Sequence, residues 1–145
     1  MFKHILIPTD GSDLSLKAVL YGVKLAKSCG AKVTGLTVAV PYRVVAVDAV
    51  LIPLDEADYE ERSRSASDKA LEQVKIAADA AGVTCETVRE VHDQPYRAII
   101  DAAQALNCDL IVMASHGRRG ISALLLGSET AKVLTHSTVS VLVYR

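Results

Sequence analysis

The sequence has no tryptophan and a single phenylalanine, although half of its 145 residues are hydrophobic. Its core must therefore be assembled from Val, Ile, Leu and Ala, as in α/β proteins. Neither sign of charge prevails: 16 Lys and Arg stand against 17 Asp and Glu, for a net charge of −1. That balance excludes a basic nucleic-acid face and a polybasic membrane patch. No apolar run approaches membrane-spanning length, and the opening MFKHILIPTDGSD reads as strand and loop rather than as a signal peptide. A soluble, cytoplasmic protein is expected, with neither nucleic acid nor membrane among its partners. Cysteine is scarce: Cys29, Cys85 and Cys108 form no C-x-x-C pair, and an odd count argues against a disulfide framework. Each reads as a small apolar filler. The four histidines (4, 92, 116 and 136) show no metal-ligand spacing, so no metal site is expected among them.

What is present is a repeating alternation of short apolar runs and helical periods. At this length the chain is expected to form one domain, 1–145. Lys3 to Pro8 reads as a buried strand, and Thr9-Asp10-Gly11-Ser12-Asp13 supplies the cap of a helix. Leu14, Ala18, Tyr21, Leu25 and Cys29 mark that helix at its buried spacing, and Gly30 ends it. Lys32 to Val40 is the second strand. Residues 42–55 lie between two prolines and read as a long connection that packs over a face or meets a partner chain. A long helix runs from Asp55 to about Ala81, with Ala66, Ala70, Val74, Ala77 and Ala81 as its buried stripe, and Gly82 ends it. Cys85 to Val91 reads as a strand near an edge, and a helix follows Pro95. Leu110 to Ala114, a helix over about 128–135, and Val139 to Val143 complete the chain. The order βαβαβαβαβ predicts an open, doubly wound, mostly parallel sheet of five strands with helices on both faces, taken in the order 3-2-1-4-5. Ligands bind such sheets beyond the strand carboxyl ends, where the strand order reverses. Here that point lies between the first and fourth strands.

The loop after the fourth strand is the most informative stretch: Met113-Ala114-Ser115-His116-Gly117-Arg118-Arg119-Gly120, continuing to Gly127-Ser128. Glycines let backbone N–H groups approach a ligand, and a helix start adds free donors and partial positive charge. Together they make a seat for a phosphate, and the arginines add charge. The plain alternative is a Gly-rich turn. Against it stands the meeting of two polar loops, Pro8-Thr9-Asp10 and the glycine loop, at one switch point. His116 has no visible carboxylate or nucleophile beside it and is expected in solvent. His92 and Asp93 are expected near the pocket rim.

These residues resemble the universal stress protein family, specifically its nucleotide-binding branch, over essentially the whole chain. The likeness is carried by HILIPTDGSDLSLKAV, LTVAVP, the Asp-Gln-Pro loop and CDLIVMASHGRRG…LLLGS. The family's ATP motif is G-x2-G-x9-G-(S/T). Gly117, a nine-residue spacer and Gly127-Ser128 match it as written, and Ala114 stands at the first glycine position. The resemblance implies an adenine nucleotide, ATP or AMP, with Asp10 by the ribose or by a magnesium ion on the phosphates. Pro8 and Thr9 would line the pocket, the Val38 backbone would hydrogen-bond adenine, and Met113 would pack nearby. Gly117, Gly127, Ser128 and the N–H groups of Glu129 and Thr130 would hold phosphates, with Arg118 at the outer ones. The resemblance also implies a homodimer in which the last strand pairs with its copy. An unpaired apolar edge agrees with that. The function so implied is nucleotide-dependent signalling or protection under stress.

Other functions fit less well. DGSDLS faintly echoes the loop of adenylating ATP pyrophosphatases but lacks its double glycine. A phosphoacceptor receiver would need a Lys at the end of the fifth strand, where Tyr144-Arg145 stand. No catalytic constellation appears, and the resemblance allows at most slow ATP hydrolysis. A ligand-free interaction protein is the remaining alternative, kept open by Ala114.

Overall fold

A computed structural model describes residues 1–43, 55–118 and 125–145. Among them run β1 (His4–Pro8), α1 (Asp13–Cys29), β2 (Lys32–Ala39), α2 (Glu56–Ala81) and β3 (Cys85–Val91). These are followed by α3 (Pro95–Ala105), β4 (Leu110–Ala114), α4 (Ser128–His136) and β5 (Ser140–Tyr144). The five strands pair in parallel, as the alternating pattern predicts, and in the expected order β3-β2-β1-β4-β5. The expected connection over 42–55 and the loop residues Arg119 and Gly120 fall largely outside the described residues.

Strand alternation divides the core between the two faces of the sheet. Ile5, Ile7, Val33, Leu110 and Val112 point to one face and pack with Val19, Val23, Val74 and Ala78 of α1 and α2. Leu6, Leu36, Ile111 and Met113 point to the other face and pack with Ile99 and Ala103 of α3 and with Val133 of α4. Strands buried on both faces need continuous apolar runs, which is why β1 and β4 are buried at every position. β3, at the edge, is partly exposed throughout.

Two helix stripes coincide only in part with the positions expected: Ala18, Ala70 and Val74 are buried as expected, and other members lie one residue away. On α1 the buried residues are Ser15, Ala18, Val19, Gly22, Val23 and Ala26, while Tyr21 is exposed. On α2 they are Ser67, Ala70, Leu71, Val74 and Ala78. The physical reason is close approach. A Cβ at Gly22 would come within 2.7 Å of Ile7 Cδ1, and one at Gly35 of β2 within 2.9 Å of Val74 Cγ1. Small residues such as Ser15, Gly22 and Ser67 therefore face the sheet at positions that an apolar count passes over. Both helices end as expected, at Gly30 and Gly82 in left-handed geometry with φ of 68° and 70°.

Cys108 is buried, and burial, with Asp109 alongside, pushes its thiol up to about 11 against the opposing charge of Lys32. That environment suits an unreactive filler. At the opposite end of the sheet from the glycine loop, His4 is buried. Its Nε2 lies 2.8 Å from Thr34 Oγ1 and its Nδ1 3.1 Å from the Leu106 carbonyl.

Candidate functional site

The carboxyl ends of β1 and β4 diverge into two loops that are tied to one another. After Pro8, Thr9 still donates its N–H to the Leu36 carbonyl at 2.9 Å, and the chain then leaves the sheet. Asp10 Oδ1 accepts from Ser12 N–H at 3.0 Å, and Thr9 Oγ1 accepts from Gly11 N–H at 3.2 Å. Ser12 caps α1 by accepting from Ser15 N–H. The second carboxylate oxygen of Asp10 reaches across and accepts the N–H of Arg118 at 2.8 Å. A Cβ on Gly117 would fall against that same oxygen, so glycine there makes room for Asp10. Burial by itself would raise the Asp10 pKa. The hydrogen bonds from Ser12, from the Arg118 N–H and from Ser15 together outweigh it and hold the carboxyl below its ordinary value.

On the β4 side, Ala114 ends a regular strand and its carbonyl accepts from Thr130 Oγ1 at 2.9 Å. Its φ is negative, since Asn107 is the one non-glycine residue with positive φ among the described residues. An alanine at the motif's first glycine position thus carries no backbone strain. Gly127 donates its N–H to the Ser115 carbonyl at 2.7 Å. A Cβ on Gly127 would stand 3.1 Å from His116 Cα, so this glycine permits two backbone segments to touch. Gly127 is also the N-cap of α4 and offers no side-chain acceptor to the donors of the helix's first turn. The helix therefore presents its positive end at the switch point. The Glu129 carboxylate is turned elsewhere, accepting Tyr96 N–H at 2.8 Å at the start of α3 and Lys132 Nζ at 3.3 Å.

Between these loops and the end of β2 lies a cleft of about 720 Å³. All twelve residues singled out from the sequence line it. Pro8, Thr9 and Asp10 come from β1 and its loop, Val38 from β2, and Met113 and Ala114 from β4. Gly117 and Arg118 come from the glycine loop, and Gly127, Ser128, Glu129 and Thr130 from the start of α4. The backbone of Val38 is turned the useful way. Leu36 directs its carbonyl toward β1, so by alternation Val38 directs its N–H and carbonyl to the same side, past the point where β1 has left the sheet. Ala39, one residue on, faces β3 and accepts His92 N–H at 3.0 Å.

The cleft is polarised. Asp10, the glycine loop and the α4 N-terminus form a polar end rich in backbone donors. Leu36, Val38, Val40, Pro95 and Ile99 form an apolar end toward β3. Among the described residues there is no group of three His, Cys, Asp or Glu side chains placed to hold a metal ion by itself.

The whole chain, residues 1–145, matches the model of the universal stress protein family. The chain belongs to that family. Universal stress protein YxiE of Bacillus subtilis is 34% identical, with both chains covered in full. Among solved structures, the universal stress protein UspA from Lactobacillus plantarum superposes with a TM-score of 0.80 at 27% identity, covering 99% of this chain and 97% of that one. A universal stress protein in complex with cAMP superposes at 0.71 with 26% identity, covering 99% and 97%. The family resemblance read from the glycine motif and the fold order thus agree with the comparisons.

Several cleft residues of this universal stress protein were not singled out from its sequence. Leu36 and Val40 share the alternation of Val38 and could have been found from it. Ser15, Pro95 and Ile99 enter from helix starts whose approach only the folded chain reveals. Asp93 lines the cleft from the rim, where the sequence put it. His116, expected in solvent, is instead half-buried on the cleft wall, with Nδ1 3.2 Å from Ser115 Oγ. The close contact of Gly127 with the His116 backbone holds it there.

Proposed function

We propose that this universal stress protein binds an adenine nucleotide, ATP or AMP, in the cleft between β1 and β4. The observation that carries the reading is convergence: four separate segments bring backbone donors, an apolar slot and an outward-turned strand backbone to one switch point. The base lies in the apolar end, with its N1 and amino group against the N–H and carbonyl of Val38 and with Met113 packed nearby. Gly117, Ser128 and the first-turn N–H groups of Glu129 and Thr130 hold the phosphates, as helix starts do elsewhere. Ala114 removes none of these donors.

The Arg118 N–H is engaged by Asp10, so Arg118 acts on the outer phosphates through its guanidinium. Asp10 stands by the ribose or by a magnesium ion that neutralises the phosphates. That a relative of the same fold was solved with cAMP supports the class of ligand. We further assign the protein to the cytoplasm as a homodimer joined along β5, acting as a nucleotide-dependent signalling or protective module. No helix among the described residues is long and apolar enough to cross a membrane.

Calorimetric titration with ATP and AMP, with and without magnesium, tests this. Micromolar binding, on the order of −8 kcal/mol, is expected. A preference for ATP with magnesium assigns Asp10 and Arg118 to the phosphates. No heat with either nucleotide moves the chain to the ligand-free alternative.

A further inference from the structure

The far end of the cleft carries a charge that the nucleotide reading does not use. Asp93 lines it from the loop between β3 and α3, and both of its carboxylate oxygens accept from Arg43 Nη2 at 2.8 Å. The Asp93 side chain is 46% exposed, so it stands on the rim, within reach of a ligand. Its loop is fixed: His92 N–H is bound to the Ala39 carbonyl, Gln94 N–H to His92 Nδ1 at 2.8 Å, and α3 starts at Pro95. From β4, which feeds the glycine loop, to β3 is three strand spacings, about 14 Å at the usual separation. That is the reach of one extended mononucleotide. With phosphates at the glycine loop, the edge of the base therefore meets the β3 side, where the other lining residues are apolar.

Resting on the nucleotide reading of the cleft, we propose that Asp93 selects the purine by its 6-substituent, favouring a 6-amino over a 6-oxo group. A carboxylate accepts only. Arg43 engages one lone pair on each oxygen and leaves others for a donor on the base. An exocyclic amino group, with one hydrogen on the Val38 carbonyl, gives its second hydrogen to them. A 6-oxo group turns a second acceptor toward the carboxylate and repels it. Arg43 holds the Asp93 carboxylate in place, and Asp93 is the group that reads the base.

The experiment is calorimetric titration of the full chain with AMP and with IMP, in the wild type, Asp93→Asn and Asp93→Ala. The wild type is expected to bind AMP about tenfold or more tighter than IMP, the effect of one mismatched polar contact. The Asn amide can present either donor or acceptor, so Asp93→Asn should narrow the gap between the two affinities and improve IMP binding, leaving the share of the preference that the Val38 backbone carries. A merely structural residue would not produce that gain. Asp93→Ala should reduce the preference by weakening AMP alone. If the variants bind AMP and keep the wild-type ratio, or the wild type binds both equally, Asp93 does not read the base and the proposal falls while the nucleotide site stands. If the wild type binds neither, the cleft reading falls and this proposal with it.

Discussion

A Cβ at Gly117 would meet Asp10, and one at Gly127 would press on the His116 backbone; neither glycine has positive φ. Their use is room. Gly117→Ala should displace the Asp10 carboxylate from the Arg118 N–H, costing about 1 to 2 kcal/mol in urea unfolding and weakening nucleotide binding. Gly127→Val should part β4's loop from α4 and cost about 1 to 3 kcal/mol in the same measurement. Loss of nucleotide by that variant must therefore be read beside its stability.

His4 gives a pH-dependent prediction. Burial, then the charge of Lys32, lowers its pKa below 6.5, against the pull of the Leu106 carbonyl, Glu86 and Asp109. A base whose folded pKa is depressed contributes stability that is complete above the unfolded value and is lost as pH falls toward the folded one. The melting temperature should thus fall from pH 7 to pH 5, and His4→Gln, which does not titrate, should flatten that slope. The Asp10 and Asp109 carboxyls, both held low, lose their contributions further down, below about pH 4. An unchanged slope in His4→Gln would place the acid sensitivity elsewhere.

At the scale of elements, the sequence was most legible where one residue type has one physical use. Gly30 and Gly82 end their helices, Ser12 begins one, and apolar runs mark β1 and β4. The parallel sheet followed from the alternation of elements and the rule of right-handed crossovers, which by themselves do not choose 3-2-1-4-5 over 2-1-3-4-5. The stripes of α1 and α2 were legible at Ala18, Ala70 and Val74 but missed Ser15, Gly22 and Ser67, which face the sheet where closeness matters more than hydrophobicity. Contacts between helix starts were invisible: nothing local says that Glu129 of α4 accepts the Tyr96 N–H of α3. Glu129→Ala should remove that cap and cost about 1 kcal/mol in chemical denaturation. The site read well because its residues, Val38 apart, cluster at the ends of β1 and β4 and the start of α4, whereas Pro95 and Ile99 reach it from a further segment of which only the rim residue Asp93 was expected.

At the scale of the molecule, β5 is the last strand of the sheet, and one side of its backbone faces outward. Ser115 N–H donates to the Tyr144 carbonyl at 2.8 Å, so Tyr144 turns toward β4 and, by alternation, Val143 turns away. Val143→Pro should therefore block pairing of β5 with a second copy while sparing the β4 ladder. Sedimentation of that variant as a monomer is the expected result, and a persisting dimer would place the interface elsewhere. This variant is a sharper test than truncation, because Val141 and Leu142 pack against the two faces of the core. The central claim, that the switch-point cleft holds an adenine nucleotide, is tested most directly by titrating AMP into isotope-labelled protein and following its backbone amides. The account predicts that the amides of Val38, Gly117, Ser128, Glu129 and Thr130 shift together and saturate with one affinity, while those at the His4 end of the sheet stay in place. Saturable shifts elsewhere, or none at these five, would contradict it.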